Sequence, residues 1–199
     1  MDLKFFIGLS FVLLITCVSA AEEPCLYERC SCQMYNMMLS IYCTDTSSPI
    51  LQRNMSYKFD GVIESFTIAN RDLQNITEGA FAGLSIRRIE FARIRSLEFY
   101  STIFNGIKSI EQMVVVEAIN INLDSRAFDP IRELIGEFSI VNILNGAEKL
   151  LNEANTFTNL ASLTLRDVNI GKLDENFSKN STKLVKLDIS YCKFTGIPK

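Results

Sequence analysis

Six cysteines and no histidine define the side-chain chemistry open to this 199-residue chain. Cys25, Cys30, Cys32 and Cys43 lie within nineteen residues, spaced C-x4-C-x-C-x10-C. Thiols grouped this closely bind zinc or pair as disulfides, and an exported chain meets an oxidising environment in which they pair. Four cysteines allow three pairings, and spacing alone does not choose among them. The absence of histidine excludes imidazole-activated nucleophiles and histidine metal sites. The acidic residues show no paired spacing that suggests a general acid and base. No glycine-rich phosphate loop is present. The expectation is a protein that is not an enzyme and carries no cofactor and no metal.

The N-terminus gives the address. Lys4 precedes an uncharged run at residues 5–18, and Val18-Ser19-Ala20 is a small-residue cleavage site. Residues 1–20 therefore read as a secretory signal peptide, removing Cys17 and placing the mature chain outside the cell. The run is shorter than the roughly 20 apolar residues of a spanning helix, and no later segment is long enough, so no membrane insertion is expected. Four N-x-S/T sequons, at Asn54, Asn75, Asn176 and Asn180, become candidate glycan sites in an exported chain. The net charge of -3 gives no reason to expect a nucleic acid partner.

These groups must be positioned by a repeating scaffold. The stretch 184–198, LVKLDISYCKFTGIP, carries apolar residues in an L-x-x-L-x-L-x-x-C frame. The same frame starts at Ile63, Ile86, Ile110, Ile135, Leu160 and Leu184, at intervals of 23 to 25 residues. Positions 1, 4 and 6 are large and apolar in all six frames. Positions 4 and 6 share one strand face, which points into the core. Phe66, Phe91, Val115, Ile140, Leu165 and Ile189 are expected in one inward column. A second apolar series, Ile76, Phe99, Leu123, Leu173 and Ile197, marks a return limb, followed by Phe81, Phe104, Phe128, Phe157 and Phe177. No repeat can bury its apolar side alone, so the repeats must stack.

This frame resembles the leucine-rich repeat. Gly79-Ala80-Phe81-Ala82-Gly83-Leu84 resembles that family's G-A-F-x-G-L, and the cysteine cluster is similar to its extracellular N-terminal cap. More narrowly, the C-x-C cap, this return limb and a poorly kept turn asparagine resemble secreted arthropod leucine-rich repeat proteins related to the non-catalytic subunit of a shrimp luciferase (luciferin 2-monooxygenase). The resemblance implies an α/β solenoid. It has a curved parallel sheet on its concave side, irregular or short helical return limbs, and a disulfide-stapled cap over residues 21–60. Residues 61–199 form about six repeats, the last incomplete. It also implies the pairings Cys25–Cys32 and Cys30–Cys43, with Met38–Cys43 as the first, edge strand and a turn at Ser47-Ser48-Pro49. The family's buried asparagine belongs at position 9, where this chain has Arg71, Ile94, Ala118, Ile143, Val168 and Cys192. Only Cys192 fits, as a buried thiol, with an intermolecular disulfide as the alternative for this unpaired cysteine, and the middle repeats could be out of register by one or two residues. No cysteine cap follows Ile197-Pro198, so a longer protein or a covering surface is expected there.

The exposed side of the strands is then the candidate binding surface. Val114, Val116 and Val141 form an apolar spot at its middle, with Arg88, Arg93, Glu117 and Tyr191 in a polar surround, the pattern of a binding patch. Glu64, Arg87 and Glu111 alternate in sign along one ladder, and Arg93 and Glu117 along another, as register-fixing pairs. The expected partner is a protein ligand. The alternative is a structural or assembly role, with the uncapped C-terminal end packing on a partner subunit or on another copy as a homo-oligomer. Six strands give roughly 400 Å² of sheet, against about 800 Å² needed from each side of a stable interface. Side loops or further chain must therefore contribute.

Overall fold

The structure, a computed structural model, describes residues 25–44, 50–54, 58–172 and 182–196. The expected signal peptide, the turn at Ser47-Ser48-Pro49, Leu173, Phe177, Ile197, Asn176 and Asn180 lie outside the described residues.

The chain forms a parallel β-solenoid of about six turns. Its main sheet runs β1 (Ser31–Tyr35), β2 (Met38–Cys43), β4 (Val62–Ile68), β6 (Ser85–Ala92), β8 (Ser109–Val116), β10 (Glu137–Ile143), β11 (Ser162–Lys172) and β12 (Lys186–Ser190). Every pair from β2 onward is parallel. The frames align without slippage. Ile86 sits beside Ile110, Ile89 beside Met113, and Phe91 beside Val115, which in turn faces Ile140. The middle repeats are therefore in register.

The inward columns are Phe66–Ile89–Met113–Phe138–Leu163–Leu187 and Ile68–Phe91–Val115–Ile140–Leu165–Ile189. Phe66 thus belongs to the first column, and Ile68 heads the second in its place. Both columns are buried through β11, whereas Leu187 and Ile189 of β12 are 47% and 39% exposed.

Behind the sheet runs a spine of phenylalanines. Phe66, Phe81, Phe104, Phe128 and Phe157 follow one another at ring-centroid distances of 5.5, 5.6, 5.8 and 5.9 Å. All five are fully buried. Pairs at these separations add to the burial of their surface. The return limbs differ in form. Short strands pair on a second, narrower ladder: β3 (Ile50–Leu51) with β5 (Asn75–Ile76), and β7 (Ser96–Phe99) with β9 (Asn120–Leu123). The end of β11 pairs with β13 (Lys193–Gly196). The frame starting at Ile135 has no member of the second apolar series. There the helix α1 (Ala147–Ala154), AEKLLNEA, presents Ala147, Leu150, Leu151 and Ala154 to the core.

The cap carries both implied disulfides, Cys25–Cys32 and Cys30–Cys43. The four thiols that could have held zinc are thereby used. The edge strand is β1, which folds back antiparallel on β2, so Met38–Cys43 is second rather than first. Asn36 and Met37 between them both have positive φ, 48° and 62°, the geometry of a tight two-residue hairpin.

At position 9 the asparagine is replaced by packing. Ile94, Ala118, Ile143 and Val168 are buried. The turn's polar backbone is satisfied by the next coil: Ile119 N–H donates to Ile94 O at 3.2 Å and Leu144 N–H to Ala118 O at 3.1 Å. Position 8 makes this feasible. Arg93, Glu117, Asn142, Asp167 and Tyr191 all adopt left-handed φ, between 51° and 56°. The chain turns there, and the side chain at position 9 points inward. The first repeat differs. Asn70 at position 8 is buried, and its side chain accepts from Asp72 N–H at 2.9 Å, leaving Arg71 exposed.

Candidate functional site

The outer face of the main sheet presents three rows of side chains. The first is polar. Arg88 donates to Gln112 at 2.9 Å and to Glu90 at 2.6 Å, and Gln112 donates to Glu137 at 3.2 Å. Arg88 is therefore held in place by a chain of side-chain bonds along neighbouring strands. The second row runs Thr67, Glu90, Val114 and Ser139. The third runs Ala92, Val116, Val141, Arg166 and Ser190.

The apolar spot is smaller than the sequence suggests. Val116 and Val141 are lateral neighbours and half-buried, and Ala92 beside them is buried. Val114 is only 6% exposed. It lies between Glu90 and Ser139 in a central strand, where neighbouring side chains cover it, so it supports the patch and offers no contact area of its own.

The position-8 residues form an edge to this face. Arg93, Glu117 and Tyr191 are exposed there. The Arg166 guanidinium sits 5.9 Å from the Tyr191 ring centroid, a cation–π contact. The expected Arg93–Glu117 ladder pair is not made among the described residues. Both residues have left-handed backbone and lie outside the regular pleat. The other ladder does form: Arg87 lies 2.6 Å from Glu64 and 3.7 Å from Glu111. These pairs are half-exposed and worth little in stability.

A cleft of about 550 Å³ opens beside that edge, lined by Arg71, Arg93, Arg95, Ile94, Ile119 and Glu117, among others. The frame reads Arg71 only as position 9 and Arg95 not at all, so neither was legible as a site residue. What the sequence does hold is Arg71 on one coil and Arg93 and Arg95 on the next.

Cys192 is a half-buried free thiol, its sulfur 3.4 Å from the carbonyls of Leu165 and Ser190. Asn75 is exposed on β5, off the main sheet, and Asn54 N–H donates to Leu26 O at 2.7 Å. Among the described residues no group of three or more Cys, Asp or Glu is placed to hold a metal ion, and no helix is long and apolar enough to cross a membrane. The two disulfides fit a protein that folds in an oxidising compartment. No family model and no curated protein matches this chain.

Proposed function

We propose that this is a secreted binding module of the leucine-rich repeat type. Its curved sheet would hold a protein partner on the concave, outer face. The observation that carries this is the pairing of Val116 and Val141 in the centre of that face. They are flanked by Arg88, fixed in its hydrogen-bond chain, and by the outward-directed Arg93, Glu117 and Tyr191. A small apolar centre within a polar rim suits a protein contact. The frame spacing, the stapled cap and the G-A-F turn support the family reading and the narrower kinship with the arthropod proteins. The leader sequence and the two disulfides support secretion. A glycan at Asn75 would lie off the main sheet. A photo-crosslinking residue at position 116 should trap a protein from extracellular fluid, and one at position 75 should not. With the crosslinker at position 116, Val141→Asp on the neighbouring strand should abolish the adduct with the fold intact, and equal trapping at both positions sinks the proposal.

A second reading is an assembly role as a non-catalytic subunit or homo-oligomer. Val185, Leu187 and Ile189, on and beside β12, are 88%, 47% and 39% exposed. Packing of that turn against a partner subunit or a second copy would cover them. Light scattering tests the second-copy form, and a monomer at all concentrations excludes it.

A further inference from the structure

We propose that the cleft at the strand-exit edge, between Arg71, Arg93 and Arg95, takes the carboxylates of a short acidic peptide segment of the protein partner. The inference rests on the protein-binding reading above and names the chemistry of the bound segment. The chain as a whole is acidic, with net charge -3, yet this cleft gathers three guanidinium groups against the single carboxylate of Glu117. Arg95 lies 4.0 Å from Asp72, a long and exposed contact. Arg71 and Arg93 pair with no carboxylate among the described residues.

The backbone beneath these side chains is fixed. Arg95 N–H donates to Arg71 O, and Arg93 N–H to Val116 O, each at 3.1 Å. Adjacent coils therefore hold their arginines at a constant spacing. A guanidinium presents a planar fork of donors that matches a carboxylate. The floor is apolar: Ile94 is buried and Ile119 is 39% exposed. A ligand with a carboxylate on an aliphatic stem fits both features, which an inorganic anion does not. The edge also limits the ligand's length. Past Arg93 the same row reads Glu117, Asn142 and Asp167, so a long polyanion running along it meets repulsion. A short acidic segment does not.

The test uses the intact secreted protein and three fluorescent probes. These are a peptide alternating glutamate and leucine, its glutamine counterpart, and a heparin-derived hexasaccharide. The glutamate peptide should bind, and raising salt from about 50 to about 300 mM should weaken it several-fold. Arg71→Gln and Arg93→Gln should each weaken it about fivefold or more. Both positions are exposed, and circular dichroism checks the fold. Binding of the glutamine peptide with equal affinity, indifference to both substitutions, or binding of the hexasaccharide in place of the peptide overturns the inference. If the peptide fails while the crosslink at position 116 persists, the cleft assignment falls and the binding module stands. If the peptide binds through Arg93 while that crosslink is absent, the cleft stands and the outer-face reading falls.

Discussion

The Tyr27 hydroxyl donates a hydrogen bond of 2.6 Å to the carbonyl of Ala80, 53 residues further along the chain. The bond ties the disulfide cap to the G-A-F turn. The Tyr27 ring also lies 4.7 Å from that of Phe66, extending the aromatic spine into the cap. Burial holds the phenol neutral, raising its pKa well above the usual tyrosine range, with Arg53 pulling weakly the other way. Tyr27→Phe keeps the ring and leaves the Ala80 carbonyl without this donor. The expected loss is about 1–3 kcal/mol, read from urea denaturation of the disulfide-intact protein.

Phe128 is the hub of the spine. Its ring lies 5.1 to 6.4 Å from those of Phe99, Phe104, Phe138 and Phe157. Phe128→Ala should cost about 3–5 kcal/mol. Phe128→Leu, which refills much of the volume, should cost markedly less. Equal midpoints for the two variants would show that the site collapses around the smaller side chain.

Gly146 begins α1 with φ of 90°, and a Cβ there would lie 2.6 Å from the Ile121 carbonyl oxygen. Both the backbone angle and the space require glycine. Gly146→Ala should destabilise by about 2 kcal/mol or more. Thermal unfolding followed at a helix-sensitive wavelength checks this.

Glu153 sits on the inner turn of α1 beside Arg132, 3.8 Å away, which itself bonds Asp129 at 2.7 Å. Burial raises its carboxyl above the usual range, Arg132 lowers it, and Asp129 raises it again, leaving a net rise. A carboxyl raised on folding holds its proton more tightly in the native state. Its contribution to stability is therefore complete below the unfolded pKa and is lost as pH rises through the folded value. Glu153→Gln should accordingly be at least as stable as the parent at neutral pH. That advantage should shrink as pH falls toward about 4. Urea midpoints across this range test the sign, and an advantage that grows on acidification refutes it.

The inward positions were legible because side-chain period follows strand geometry, and stacking leaves only one solution for residues such as Ile89, Met113 and Phe138. The disulfide pairing came from resemblance alone. The edge hairpin was missed because Asn36-Met37 is not the Asn-Gly that marks such turns. Burial of Val114 was missed because it depends on what stands in the next strand. The left-handed column was hidden because Arg93, Glu117 and Tyr191 are types that rarely adopt that angle. With it hidden, the sequence suggested an Arg93–Glu117 pair that is not made among the described residues. The helix α1 was likewise obscured, since it replaces a strand in one coil only.

Partner strands in the main sheet lie 23 to 25 residues apart along the chain. That is a relative contact order of roughly 0.12, low for a sheet built mainly of parallel pairs. Each coil needs only its predecessor as a template. The polypeptide can therefore assemble in the order in which the ribosome delivers it, starting on the cystine-bonded hairpin and winding forward without waiting for its far end.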